Sequence, residues 1–341
     1  MYSSNATTES ASGPLKQVHG GGVRAAAAHY GIPEAQWLDL STGINPQGYP
    51  VGPVPAEAWQ RLPEDEDGLE AAARAYYGAA SLLPVAGSQA AIQALPRLRA
   101  GPARVGVLEP SYNEHARAWR AAGHEVVAVR EGELAGAAST LDVLVLVNPN
   151  NPTAAYFAPE TLLDWHRRLA ERGGWLVVDE AFMDTTPQQS LAGHTPREGL
   201  FALRSLGKFF GLAGARVGFV LAPDGWLRRI AELLGPWSVP GPARWVAQQA
   251  LEDRAWQAQT RGQLQEAGRR LETLLRDAGL PPAGGTPLFQ WCRTDHAQAI
   301  QDALARQGIL VRRFDRPASL RFGLPGREAD WQRLETELQQ A

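Results

Sequence analysis

Ser205-Leu206-Gly207-Lys208-Phe209-Phe210-Gly211-Leu212-Ala213-Gly214-Ala215-Arg216-Val217-Gly218-Phe219 sets one lysine among hydrophobes and glycines, with a serine three residues before it and an arginine eight after. An amine with few charges around it is poorly solvated, which brings its neutral, nucleophilic form within reach. Ser205 offers a hydroxyl and Arg216 a planar fork of donors, a pair suited to a phosphate. Any single lysine is more simply a solvated loop residue, so the rest of the chain has to decide.

On either side of Lys208, residues 201–205 and 217–221 read as strands. Upstream, 104–108, 125–129, 143–147 and 175–178 are further strand patterns, the last two being buried runs rich in β-branched residues. Helical patterns at 112–122 and 159–172 separate them, the second with Pro159 at its start. Before these, 68–77 is helical and 84–92 passes from an extended piece into a helix. Strand alternating with helix predicts an α/β fold with a mostly parallel sheet covered on both faces.

After Pro240 the character changes. Residues 243–278 form one long helical stretch, with a break expected near Gly262 or Gly268. Strand 289–293, helix 297–307, strands 309–314 and 320–323 and helix 328–340 follow, a compact α+β unit. Near the other end, 19–31 is a glycine loop feeding a short helix closed by Gly31, and 38–46 is a brief extended piece ending in a turn. That segment has little core of its own. The expected division is an N-terminal arm (1–52) packing with the small domain, a large domain (53–240) and a C-terminal small domain (241–341), with the site between the two domains.

Several motifs fall at predicted strand ends. Gly87-Ser88-Gln89 lies where a strand turns into a helix, so backbone N–H groups and the positive end of the helix face any anion there. Tyr112 follows a strand and is placed to stack on a planar ring. Asn148-Pro149-Asn150-Asn151-Pro152-Thr153 follows a buried strand, at the edge where parallel sheets bind ligands, and Asn151 has an amide to donate to a phenolate. Asp179, at the end of the next strand, suits a protonated pyridine nitrogen. Each motif alone has a plainer reading as a cap, a core residue or a turn. Taken with Lys208, Ser205 and Arg216, they point to pyridoxal phosphate carried on Lys208.

The ordered set resembles the fold-type I pyridoxal-phosphate enzymes over most of the chain. Within them it resembles the histidinol-phosphate aminotransferase branch, and above all the threonine-phosphate decarboxylases of cobalamin biosynthesis. His19-Gly20-Gly21, Leu38-Asp39-Leu40-Ser41 and Asn45-Pro46 carry that last likeness. The resemblance implies that Lys208 attaches the cofactor, Asp179 pairs with its pyridine nitrogen, Tyr112 stacks on the ring and Asn151 contacts O3′. It implies that Gly87, Ser88, Gln89, Ser205 and Arg216 form the phosphate cradle. Arg321 would bind the substrate carboxylate, with Asn151 alongside, and Arg312 and His19 the substrate's own phosphate. Two positions depart from the aminotransferase pattern. Phe182 stands where transaminating relatives carry a tyrosine donor, as in the decarboxylase group, and Leu62 stands where a tyrosine usually reaches the partner subunit's cofactor phosphate.

The reaction so implied is decarboxylation of L-threonine O-3-phosphate to (R)-1-amino-2-propanol O-2-phosphate. The alternatives are an aminotransferase acting on histidinol phosphate or a related amine, and a non-catalytic binding or assembly protein of the same fold. The resemblance also implies a homodimer, a small phosphorylated amino acid as ligand, and a contact with the enzyme that uses aminopropanol phosphate.

Composition agrees with this class. The 341 residues are 44% hydrophobic and 20% charged, and 33 basic against 36 acidic side chains leave a net charge of −3, which points to neither nucleic acid nor an anionic membrane as partner. A single cysteine, Cys292, allows no internal disulfide. Residues 1–14 read as a polar terminus without signal-peptide character, and apolar runs such as 143–147 are too short to span a bilayer, so a cytoplasmic location is expected.

Overall fold

The computed structural model describes residues 19–340, so the reading of residues 1–14 falls outside the described residues. The strands in chain order are β1 (Leu38–Asp39), β2 (Leu82–Val85), β3 (Arg104–Leu108), β4 (Glu125–Val129), β5 (Val143–Val147), β6 (Trp175–Asp179), β7 (Leu200–Ser205) and β8 (Gly218–Leu221). They continue with β9 (Gly284–Thr286), β10 (Phe289–Arg293), β11 (Ile309–Leu310), β12 (Arg312–Asp315) and β13 (Ala318–Gly323).

Seven strands form one sheet in the order β2-β8-β7-β6-β5-β3-β4. The run β4-β3-β5-β6-β7 is parallel, and β8 is antiparallel to both its neighbours. The reason is visible in β5, Val-Leu-Val-Leu-Val, which is buried from end to end. Val143 and Val145 pack on one face with Ile92, Leu95 and Trp119, while Leu144 and Leu146 pack on the other with Leu162 and Leu169. A strand apolar on both faces belongs in the middle of a covered parallel sheet. This is the mostly parallel α/β architecture that the strand–helix alternation predicts.

The smaller sheet, β12-β13-β10-β9, is antiparallel throughout. The arm forms a separate two-stranded sheet, β1 pairing in parallel with β11, and touches the smaller sheet where Gly323 N of β13 donates to the Leu40 carbonyl at 2.7 Å. Two expectations need correction. The helical stretch 243–278 is interrupted at Asp253, not near Gly262 or Gly268, giving helices Gly241–Glu252 and Arg254–Asp277. Asp253 leaves helical geometry and its side chain accepts from Trp256 N at 2.9 Å, an N-cap that starts the second helix. Gly268 serves packing instead: a Cβ there would lie 3.0 Å from Pro287 Cα. The expected strand 309–314 is two strands, since the chain changes partners at the buried Val311, from β1 to β13. A further helix, Ala56–Gln60, was not foreseen. No helix among the described residues is long and apolar enough to cross a membrane.

Beneath the strand ends lies a fully buried charge cluster. Arg204 pairs with Glu180 at 2.7 Å and with Asp184, and its guanidinium lies 4.6 Å from the Tyr77 ring centre. Glu180 also accepts from Ser190 Oγ and, at 2.7 Å, from Leu191 N, so the cluster pins the loop leaving β6. Arg204→Ala strands two carboxylates in the interior and is expected to destabilise the protein by about 3–5 kcal/mol. Denaturant midpoints of wild type and variant check this.

Candidate active site

The C-terminal ends of the parallel strands gather the expected residues into one cleft. Asp179 closes β6, Ser205 closes β7 with Lys208 three residues beyond, Asn151 follows β5, Tyr112 follows β3, and Ser88 and Gln89 start the helix Ser88–Leu98 after β2. Phe182 and Arg216 line the same cleft. In a doubly covered sheet this is the edge where loops diverge and leave room for a ligand.

Lys208 is the only lysine among the described residues; the chain's other one is Lys16. Its Nζ lies 5.6 Å from the Phe182 ring centre. Burial, then the nearby Arg321 and Arg216, bring its ammonium down to about 8 against the opposing pull of Asp179. The arm anchors the lysine turn by its backbone. The Lys208 carbonyl accepts from Asn45 N at 3.0 Å, and the Phe210 carbonyl accepts from Tyr49 N at 2.8 Å. Gly43 lets the arm close on the aromatic floor, since a Cβ there would lie 2.9 Å from Phe182 and 3.0 Å from Phe289.

Asp179 is buried, with Oδ1 accepting from Ala181 N at 3.1 Å and Oδ2 lying 3.0 Å from Nε2 of the buried His115. Sequence reasoning missed His115. Its signal was its place three residues after Tyr112, on the same face of the helix Asn113–Ala121. Burial, then Asp179 and Glu114, push the Tyr112 hydroxyl up to about 12, so it is neutral at physiological pH. It donates to Gln89 Oε1 at 3.3 Å, and Gln89 Nε2 donates to Glu114 at 3.1 Å.

The far end of the cleft is built for an anion. The first-turn N–H groups of Ser88 and Gln89 have no acceptor within their helix. Gly87 precedes them with φ +71°, and a Cβ on it would lie 2.5 Å from an Arg216 guanidinium nitrogen. Arg216 itself adopts the left-handed region, φ 55° and ψ 51°, an unusual backbone that places its side chain over that turn. Ser205 Oγ accepts from Gly207 N at 3.2 Å and keeps its own proton to donate. Gly87→Ala meets both an unfavourable φ and the guanidinium, and is expected to weaken pyridoxal phosphate binding about tenfold or more, measured by titrating the apoprotein.

From the small sheet, Arg321 reaches across to donate to Asn151 Oδ1 and, at 2.7 Å, to the Ser41 carbonyl. Asn151 keeps its amide N–H groups. Arg312 lies directly opposite Arg321 across β12 and β13, so both side chains leave the same face. Burial and the neighbouring Arg312 hold the Arg321 guanidinium down at about 10, and burial also lowers Arg312. His19 sits on the Tyr112 side, its ring centre 6.2 Å from that of Tyr112.

The donor set fits pyridoxal phosphate: an amine made reactive by burial, a held carboxylate at the end of β6, an aromatic wall, and an anion cradle that a single Cβ at Gly87 would fill. Comparison with known families matches residues 63–334 to Aminotransferase class I and II. The chain is 59% identical to the threonine-phosphate decarboxylase of Pseudomonas aeruginosa, over 94% of this chain and 96% of that protein. It is 44% identical to the threonine-phosphate decarboxylase of a Sinorhizobium species, over 93% and 96%. Its fold is similar to the crystal structure of histidinol-phosphate aminotransferase from Sinorhizobium meliloti in complex with pyridoxal-5'-phosphate, with a TM-score of 0.81 at 22% identity, covering 94% of each chain. With most of its length matched to one family and near-complete relatives at high identity, the chain belongs to the class I and II aminotransferase family.

Proposed function

We propose that the protein is a pyridoxal-phosphate enzyme that decarboxylates L-threonine O-3-phosphate to (R)-1-amino-2-propanol O-2-phosphate. One observation carries the choice of substrate. Arg312 and Arg321 stand side by side on β12 and β13, Arg321 donating to Asn151 of the cleft, and among the described residues neither has a carboxylate within ion-pair distance. Two buried or half-buried guanidiniums side by side, with Arg312 lowering Arg321, are costly unless the ligand brings the missing charge. A substrate with a carboxylate at one end and a phosphate at the other supplies it. The two high-identity relatives bear the name of a decarboxylase for such a substrate.

When bound, pyridoxal phosphate supplies a protonated ring that accepts the electron pair released as a bond to the substrate Cα breaks. Gly87, Ser88, Gln89, Ser205 and Arg216 hold its phosphate, Tyr112 covers the ring, and Asp179, oriented by His115, keeps the pyridine proton in place. Arg321 grips the carboxylate while Arg312 and His19 grip the phosphate. Holding both ends decides which bond at Cα is presented for cleavage. Lys208 Nζ, lowered to about 8 and so partly neutral at physiological pH, both attaches the cofactor and returns a proton to Cα. Phe182 donates no hydrogen bond, which fits a site that does not need a hydroxyl at that place.

The domains divide this work: residues 53–240 hold the cofactor, while 241–341 with the arm 1–52 hold the substrate. The active species is a homodimer in the cytoplasm. The exposed Trp59, Leu62 and Trp237, at 70%, 64% and 58%, are the surface that a second copy covers. Incubation with threonine phosphate is expected to release CO₂ and aminopropanol phosphate in equal amounts, with no need for 2-oxoglutarate. Amino transfer to 2-oxoglutarate without CO₂ would assign the chain to the aminotransferases instead.

A further inference from the structure

Arg321 is aimed by two acceptors that lie far apart in the chain, Asn151 Oδ1 at one nitrogen and, at 2.7 Å, the Ser41 carbonyl at another. Its Nε is closed to solvent and bonds to nothing. The guanidinium therefore points where these two oxygens put it. Asn151 follows β5 of the large sheet, whereas Ser41 lies on the arm. The side chain that fixes Ser41 is Asp39, the last residue of β1, which has no part in the chemistry above.

Asp39 Oδ1 accepts from Ser41 N at 2.9 Å and from Ser41 Oγ at 2.6 Å. An aspartate accepting from the N–H two residues on closes a tight side-chain turn, and here a second bond holds the same residue by its hydroxyl. Ser41 is buried, so water is no substitute partner for those donors. The backbone around it is fixed as well. Leu40 N donates to the Leu310 carbonyl at 2.8 Å, and the Leu40 carbonyl accepts from Gly323 N at 2.7 Å, two residues beyond Arg321 on β13. A Cβ on Gly323 would collide with the Thr42 carbonyl, so the arm lies flush on that strand. Asp39 removes the remaining freedom of Ser41, and with it that of the carbonyl. It also acts through charge: burial and Arg312 work against the positive charge of Arg321, and Asp39 works for it.

We propose that Asp39 is a positioning residue for the carboxylate end of the substrate: by clamping Ser41 it fixes the carbonyl that aims Arg321, and so governs how well the enzyme takes a carboxylate-bearing ligand. The inference rests on the substrate reading given above, in which Arg321 takes the carboxylate while Arg312 and His19 take the phosphate. A plainer role, a turn that only steadies the arm, would weaken every ligand of the cleft alike. A role routed through Arg321 singles out ligands that carry a carboxylate. The reaction itself supplies the comparison, because the product has lost the carboxylate and kept the phosphate. Ser41 Oγ can go on accepting from Gly21 N without Asp39, so the loop that carries His19 keeps its tie to the arm.

Asp39→Ala removes the acceptor, while Asp39→Asn keeps a side-chain oxygen in the same place. The measurement is steady-state decarboxylation of threonine phosphate by the holoenzyme, with (R)-1-amino-2-propanol O-2-phosphate as competitive inhibitor. Asp39→Ala is expected to lower kcat/KM for threonine phosphate about tenfold and to leave the inhibition constant of the product within about twofold of wild type. Asp39→Asn should recover kcat/KM to within about threefold of wild type, since both hydrogen bonds survive and only the more distant charge is lost. Equal weakening toward both ligands, an unchanged kcat/KM in Asp39→Ala, or an asparagine variant as poor as the alanine one would overturn the proposal. Wild type that releases no CO₂ from threonine phosphate would overturn the substrate reading itself, and this inference with it.

Discussion

Lys208→Ala is expected to abolish turnover, by about 10⁴-fold or more, while leaving the fold intact. The substitution removes both the anchoring amine and the proton carrier, and trims a side chain rather than opening an interior cavity. The lysine's own environment makes a second, independent readout available. An amine lowered to about 8 is roughly a quarter neutral at pH 7.5, against about a thousandth for an ordinary lysine. Reductive trapping of pyridoxal phosphate with borohydride should therefore mark one peptide among residues 19–340, the one holding Lys208. Its rate of labelling should climb as pH rises through about 8 and then level off. Since the only other lysine is Lys16, the mass spectrum is simple to read. A Lys208→Ala protein that still turned over at the wild-type rate would remove the basis for every role assigned in the cleft.

Asp179→Asn is the other substitution with a large expected cost, about 10³-fold in kcat. Asparagine keeps the shape and retains an acceptor for Ala181 N, but it carries no charge with which to hold a proton on a pyridine nitrogen. Cofactor should still bind, because the phosphate cradle of Gly87, Ser88 and Arg216 is built from other elements. The loss is thus expected in kcat and in the absorbance of the bound cofactor, with a smaller change in cofactor affinity. A variant with kcat within tenfold of wild type would show that Asp179 is a helix-approach residue and nothing more.

Much of this was legible in the chain because each strand of the large sheet writes its own burial. Residues 104–108, 125–129 and 143–147 were expected as strands and are β3, β4 and β5 with the same ends. Side chains at strand ends follow from that, so Asp179, Asn151 and Lys208 could be placed in one cleft before any geometry. What the sequence did not reveal are contacts between distant segments. His115 reads as one of several polar residues on an amphipathic helix until β6 is set beside it. Glu114 reads as a first-turn helix charge until the arm arrives with His19. The break at Asp253 was lost to glycines elsewhere in the same helix, because an N-cap aspartate costs little to overlook in a run of good helix formers.

The pairing of β1 with β11 joins residues 38 and 309, far apart along the chain. While the protein is being synthesised, β1 must therefore wait, without its strand partner, until residues 309 and 310 have left the ribosome. The carbonyl of Ser41 likewise has no Arg321 to bind before then. The large sheet, whose strands all lie between residues 82 and 221, has no such delay and can form first. A nascent chain can thus own a finished large sheet, with the strand ends that line the cleft, while β1 and the Ser41 carbonyl still lack their partners.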